Sequence, residues 1–422
     1  MIGFFLFLPK IAPLVSMKKE VFVFTDNFPY GIGEAFLNSE SVFLSESFDA
    51  VHYIPLWKNG ELREVPEGTI VERPLLNFNP KGNAKLVMKG VFCFSPLFFV
   101  IPILFKEKAW KGKKRFWDFM TSLLIIRAAY ASLDIKFEKK ALVYSYWGDK
   151  LALLIPLLKK KFDIVAVSRF HRVDLYEEAC GGYKPFRKWL FKSLDVAVPI
   201  AEDGKRYLEE RYGADAPQKI VVHRLGVFDR GLNPEEEDPD FQIVSCSHVV
   251  PVKRVAFLAE VIGGLGFKVR WTHIGDGPLR AEVEAVINKF PDNVKGVMLG
   301  AMPNAEVLRY YAEHHVDLFI NVSESEGVPV SIMEAFSFGI PVMATNVGGV
   351  AEIVDETVGK LLPVDVSEEQ LREDINAFYS NPHRVLMRSN ARNRWAERCD
   401  ARQKYTAFCE FLSKYAVATR KD

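Results

Sequence analysis

A chain of 422 residues exceeds what one ordinary hydrophobic core organises and points to two domains of about 200 residues each. Apolar residues at 49% and charged residues at 26% describe a folded globular protein, and a net charge of +1 excludes a general polyelectrolyte partnership with nucleic acid. The five cysteines (Cys93, Cys180, Cys246, Cys399, Cys409) form no C-x-x-C pair and no histidine stands at zinc spacing, so neither a disulfide framework nor a metal cluster is expected, and a reducing compartment fits.

Residues 1–16 are apolar but broken by Pro9 and Pro13, with no basic flank and no small-residue cleavage site. They are too short to span a bilayer and read as a disordered or membrane-touching leader ahead of a natural start at Met17. Glu20 to Thr25 reads as a buried strand, and the loop to Glu34 carries Gly31 and Gly33, where backbone can approach a ligand. Gly90 to Phe105 is the most apolar stretch and runs into the basic, tryptophan-bearing KEKAWKGKKR of 106–115. It falls below the roughly twenty residues of a spanning helix. Two readings stay open: a buried core helix, or a segment resting on an anionic membrane surface at 90–115.

Ala141 to Tyr146 and Ile164 to Ser168 read as further strands, the second followed at once by Arg169, Phe170 and His171. A histidine just past a strand's carboxyl end lies where open α/β sheets place ligands. Asp195 to Ile200 is a strand, Glu202 to Arg211 a helix, and Lys219 to Arg224 the expected last strand of the first domain. Asn233 to Asp240 is acidic and proline-bearing and reads as the linker; its Asp238-Pro239-Asp240 is a literal D-x-D, taken as solvated linker. The expected division is therefore 17–232, linker 233–240, 241–383, and closing helices 384–422.

The second half opens with the strand Phe241 to Ser247 and a loop holding His248, Lys253 and Arg254. A fixed cation at a helix start beside a cleft suits a diphosphate. Val269 to Ile274 leads into the turn at Gly277, and Val297 to Gly300 into the loop at Met302. Phe319-Ile320 ends a buried strand, Pro329 suits a helix's first turn, and Pro341 to Thr345 forms the next strand. This βαβ unit aims helix N-terminal N–H groups at a crevice, which favours an anion. Seven residues separate Glu326, before the helix, from Glu334, about one turn into it. Both carboxylates can face that crevice.

Asn321 to Val350 closely resembles the donor-site signature of the retaining glycosyltransferases of family 4, the group 1 transferases. Their pattern S-x-x-E-G-x-x-x-x-x-x-E-A, then G-x-P-V-x-A-T, then G-G-x-x-E, is met by Ser323, Glu326, Gly327, Glu334, Ala335, Gly339, Pro341, Val342, Ala344, Thr345, Gly348, Gly349 and Glu352. The resemblance extends more weakly over most of Lys18 to Val350. It implies an α/β, GT-B fold: two Rossmann-like domains facing across a cleft, with a C-terminal helix returning to the first. The first domain would bind the acceptor and the second the nucleotide sugar.

The resemblance also implies roles. Glu334 would hold the ribose hydroxyls; Glu326, with Gly327, Val328, Pro329 and Val330, would position the donor sugar and β-phosphate. Lys253 matches the second cation of G-R-L-x-x-x-K-G, whereas His248 stands at the first and Arg254 at the glycine. Either His248 acts protonated, or Arg254 supplies the charge, or phosphate binding is weaker. Gly31 and Gly33 belong to an F-P-Y-G-x-G-E loop facing the cleft, and Gly277 and Met302 complete the donor-binding set. His171 would lie by the donor sugar and acceptor, with Arg172 in place of a small residue. The implied reaction is metal-independent and retaining, from a nucleoside-diphosphate sugar to a saccharide or lipid-linked acceptor, with no other cofactor. Its setting would be surface-polysaccharide assembly in the cytoplasm, at the inner face of the membrane. The alternatives are a GT-B sugar-nucleotide epimerase and a non-catalytic sugar-nucleotide-binding protein; no pyridoxal-phosphate lysine suggests a phosphorylase.

Overall fold

The computed structural model describes residues 19–31, 33–76, 100–235 and 239–416. The expected leader, the first part of the 90–115 stretch and Asp238 of the D-x-D lie outside these residues.

Strands β1 (Glu20–Thr25), β2 (Ala50–Pro55), β3 (Thr69–Val71), β4 (Ala141–Ser145), β5 (Ile164–Phe170) and β6 (Val196–Pro199) form one sheet, ordered β3-β2-β1-β4-β5-β6. Strands β7 (Phe241–Cys246), β8 (Val269–Ile274), β9 (Val294–Gly300), β10 (Leu318–Asn321), β11 (Val342–Thr345) and β12 (Gly359–Leu362) form a second, ordered β12-β11-β10-β7-β8-β9. Every ladder pair is parallel, so helices cover both faces and the central strands are near-continuous apolar runs; β4, β10 and β11 are buried throughout. Read from its own first strand, each sheet has the doubly wound order 3-2-1-4-5-6. The order in which strands are added reverses between β1 and β4 and between β7 and β10, and the crevices at these switch points are where such sheets bind ligands.

The helices that frame the cleft and its surroundings are α1 (Ala35–Ser47), α2 (Val100–Lys106), α3 (Lys113–Ser132), α4 (Glu202–Tyr212), α5 (Val330–Ser337), α6 (Arg384–Arg398) and α7 (Ala401–Ser413). The expected strand at 219–224 is not one. Lys219 to His223 runs beside β6 with a single parallel bridge, Ala197 to Ile220. Pro199 ends β6 with a carbonyl but no N–H, so the ladder cannot extend.

The closing helices expected over 384–422 are α6 and α7 among the described residues. At the break, Val227 N–H donates to Cys399 O (2.8 Å) and Ala401 N–H donates to Val227 O (3.1 Å). Asp400 caps α7 by accepting from Gln403 N–H at 2.7 Å. Helix α6 stays on the second domain, where Arg392 donates to Ser337 O at the end of α5. Helix α7 returns to the first: Tyr405 packs 5.7 Å from Phe43 of α1, and Phe408 5.3 Å from Tyr144 of β4. Under Phe408 lies the fully buried Arg169–Glu40 pair, with Tyr144 Oη donating to Glu40 at 2.8 Å. The tyrosine and Phe408 are thus packing residues, as their helical spacing suggests.

Candidate functional site

The loop from β10 to α5 is held by the residues that make its sequence distinctive. Asn321 Oδ1 accepts from Ser323 N–H (3.0 Å), and Thr345 Oγ1 donates to Ser323 O (2.5 Å). Gly349 N–H donates to Gly327 O at 2.6 Å. Gly348 has φ +54°, and a Cβ there would overlap the Glu326 carbonyl. Ser323, Thr345 and the two glycines therefore brace Glu326 and Gly327 from behind.

Glu326 is buried, and its Oε1 accepts from Lys253 Nζ and, at 3.4 Å, from Asn321 Nδ2. Glu324 N–H donates to Val252 O at 2.9 Å, tying the loop after β10 to the loop after β7. Lys253 and Glu326 thus meet at the second sheet's switch point, beside the N-terminus of α5. Among the described residues the N–H groups of Gly327, Val328 and Val330 have no backbone acceptor, while Pro329 has none to offer.

Glu334 projects from α5 into a cavity of about 250 Å³ between the domains. Phe36 and Ser39 of α1, Val227 and Phe228 of the crossover, and Asn304 and Val330 line it with Glu334. Asn304 Nδ2 donates to Glu334 Oε1 at 2.6 Å. Burial pushes the Glu334 carboxyl up to about 7, against the lowering by Asn304. Nothing in the sequence motif marks Asn304; its only signal is its place two residues after Met302, at the first residue of the helix that follows β9.

His171 lies just past β5, buried, its ring 4.7 Å from Tyr146 and 4.6 Å from Trp147. Neither ring nitrogen has a hydrogen-bond partner among the described residues; Nδ1 stands 3.9 Å from Asp174 Oδ1. Asp174 instead accepts from His171 N–H (2.7 Å) and Gly148 N–H (2.6 Å), which fixes both loops around the imidazole.

Gly31 and Gly33 have their carbonyls turned to the Arg63 guanidinium. The loop's fixed point is Glu34, whose carboxylate accepts from the N–H groups of Asp26, Asn27 and Phe28 and from Trp147 Nε1 (2.7 Å). Lys150 Nζ pairs with Asp26 beside it. The sequence marks no role for Glu34: its nearby partners are backbone N–H groups, which any residue supplies, and Trp147 lies 113 residues away.

The remaining residues divide. Lys253 points to Glu326, but the Arg254 guanidinium donates to Val364 O (2.8 Å) and stacks over Phe257 (4.0 Å). Arg254 has φ +51°, the left-handed conformation a glycine adopts freely, which accounts for the glycine in the related pattern. It is not brought to the Lys253–Glu326 pair. His248 is exposed at the start of the same loop. Gly277 packs its Cα on the backbone of Val249, and Met302 is half-buried against the core.

Contacts across the cleft close the arrangement. Arg172 Nε donates to Ser325 Oγ at 2.9 Å, and Glu352 accepts from Arg224 and, at 3.2 Å, from Asp203 N–H in the first turn of α4. A Cβ on Gly349 would meet Ala201 at 2.8 Å.

Residues 232–398 match the family model of glycosyl transferases group 1. The chain is 28% identical over 220 residues to the putative colanic acid biosynthesis glycosyltransferase WcaL of Escherichia coli (strain K12), covering 50% of this chain and 54% of that protein. It is 29% identical over 229 residues to the amylovoran biosynthesis glycosyltransferase AmsK of Erwinia amylovora, covering 51% and 54%. The chain thus spans about half the length of these curated relatives. Among solved structures, HepE of Anabaena in complex with UDP and glucose shares the fold over 94% of this chain and 99% of that one, with a TM-score of 0.61 at 16% identity. The signature of Ser323 to Glu352 lies inside the matched residues, so residues 232–398 carry the glycosyl transferases group 1 match, and with two doubly wound sheets facing across a cleft the chain has the GT-B fold.

Proposed function

We propose that the protein transfers a sugar from a nucleoside-diphosphate sugar to an acceptor hydroxyl with retention at the anomeric carbon. The observation that carries this reading is the convergence of Lys253, Glu326 and the α5 N-terminus at one switch point, with Glu334 opening onto the interdomain cavity. The Glu334 carboxylate accepts from the ribose hydroxyls, and Asn304 fixes its orientation. The free N–H groups of Gly327, Val328 and Val330 take the β-phosphate, and Lys253 neutralises the charge that grows on the departing diphosphate. The bond from the anomeric carbon to the phosphate oxygen breaks as the acceptor oxygen bonds to that carbon on the same face, and the acceptor's proton passes to the leaving phosphate. His171, whose ring nitrogens make no hydrogen bond among the described residues, contacts the donor sugar beside the reacting carbon. No metal is needed where Lys253 and the helix supply the positive field. Relatives named for colanic acid and amylovoran biosynthesis support a surface-polysaccharide role, with a saccharide or lipid-linked acceptor.

Thermal unfolding against a panel of UDP-, GDP- and ADP-sugars in the presence of chelator tests the donor half. One nucleotide at about 100 times its dissociation constant should add roughly 2.7 kcal/mol, and Glu334→Ala should abolish the gain. No stabilisation by any nucleotide at millimolar concentration would refute the reading. A non-catalytic sugar-nucleotide-binding protein would be stabilised equally but would not slowly hydrolyse the donor without acceptor.

A further inference from the structure

We propose that the face formed by α2, the turn after it and the start of α3 docks the protein on an anionic lipid surface. The sequence left this stretch open between a buried helix and an interfacial one; in the described part Val100 and Ala109 face the core, with Ile103 and Leu104 packed against it, while the opposite face is exposed. Phe105 is 61% exposed, Trp110 53% and Trp117 45%, with Ile101 and Phe116 exposed beside them. Monomeric proteins rarely leave so many large apolar side chains together in water.

What surrounds them selects the occupant. Lys106, Lys108, Lys111, Lys113 and Lys114 are interleaved with the aromatic rings and are all exposed. Asp118 is half-buried beside Trp117, and two other acidic groups nearby are engaged. Glu107 turns inward, accepting from Tyr183 Oη (2.7 Å) and Phe186 N–H (3.2 Å). Asp215 is paired with Lys188 at 2.7 Å and reaches Lys192 at 4.0 Å. Aromatic side chains entering the headgroup boundary, ringed by cations that meet anionic lipid, are the chemistry of an interfacial anchor. A protein partner would not require five lysines around the rings. No helix among the described residues is long and apolar enough to cross a membrane, so the contact is with a surface.

The same face leads to the cleft. Tyr183, held by Glu107, is followed by Lys184, which pairs with Asp149 at 3.2 Å in the loop after β4, next to the Lys150–Asp26 pair. A lipid-borne acceptor would therefore be presented at the first domain's switch point, a consequence that rests on the transferase reading; the docking itself does not.

Vesicle co-sedimentation of the full chain, without nucleotide, separates the two. Vesicles of phosphatidylcholine with about a third phosphatidylglycerol should retain the protein at least tenfold better than phosphatidylcholine alone, and added salt should release it. Lys111→Gln with Lys113→Gln should weaken binding roughly fivefold per charge removed. Phe105→Ser with Trp110→Ser should abolish it while leaving the melting temperature and the nucleotide-induced shift intact. Equal binding by wild type and both variants, no binding to either vesicle, or a dimer in solution that the Trp110 variant dissolves would each overturn the proposal. Vesicle binding without nucleotide stabilisation would instead refute the transferase reading alone.

Discussion

Glu334 carries a titration that both folding and binding must feel. Burial holds its carboxyl at about 7 against an ordinary value of 4.5, so the folded protein binds this proton more tightly than the unfolded chain. That contribution to stability is fully present below about pH 4.5 and is lost as pH rises to about 7. Glu334→Gln should therefore flatten this part of the stability profile and make the empty protein more stable at pH 8, by on the order of 3 kcal/mol at most. Urea unfolding at pH 5 and pH 8 measures it. If the carboxylate accepts from the ribose, nucleotide affinity should fall about tenfold per pH unit below 7. Constant affinity from pH 8 to 5.5 would remove Glu334 from that role. The two glutamates and Lys253 were legible because a βαβ unit and its signature fix their places along the chain. Arg254 was not. Its bond to Val364 spans 110 residues, and its left-handed backbone turns the guanidinium away from the loop's cleft side.

At the scale of elements, sequence patterns located what apolar runs and turn residues dictate and missed what distant backbone decides. Strands β1 and β8 have the bounds their apolar runs suggest, since both are buried between helices. The 219–224 segment is apolar enough for a strand but finds only the end of β6. The α6–α7 break has no glycine or proline; it exists because Val227 exchanges hydrogen bonds with Cys399 and Ala401. The G-G element is the converse case, where a short motif encodes a tertiary contact. Gly348 combines φ +54° with the Glu326 carbonyl where its Cβ would be. Gly348→Ala should cost at least about 2 kcal/mol of stability, from the left-handed backbone and the overlap together. It should also reduce the nucleotide-induced thermal shift, because the displaced carbonyl is that of Glu326. Gly33→Ala is the control: a Cβ there meets nothing within 4 Å, and its effect should stay within about 0.5 kcal/mol. Equal effects of the two substitutions would show that the brace behind Glu326 is not what Gly348 provides.

The whole molecule depends on two domains holding one cleft. Glu352, the last residue of the G-G-x-x-E element, has its carboxylate on Arg224 and on the backbone of Asp203, both of the first domain. Its place in a donor-site signature suggests ligand binding; its contacts instead make it a strap between the domains. The groups proposed to hold the nucleotide all lie on the second domain, whereas His171 and the Asp26–Lys150 pair lie on the first. Breaking the strap should therefore separate binding from turnover. Arg224→Met should leave nucleotide affinity within about threefold but lower kcat/KM ten- to a hundredfold, because misplacing the reacting groups by about 1 Å costs that much. Small-angle scattering should show a larger radius of gyration for the variant. Adding Glu352→Gln should cost little more, since the two side chains act as one contact. If Arg224→Met weakened nucleotide binding as much as turnover, with unchanged dimensions, Glu352 would belong to the donor pocket and closure would rest on the Arg172–Ser325 contact.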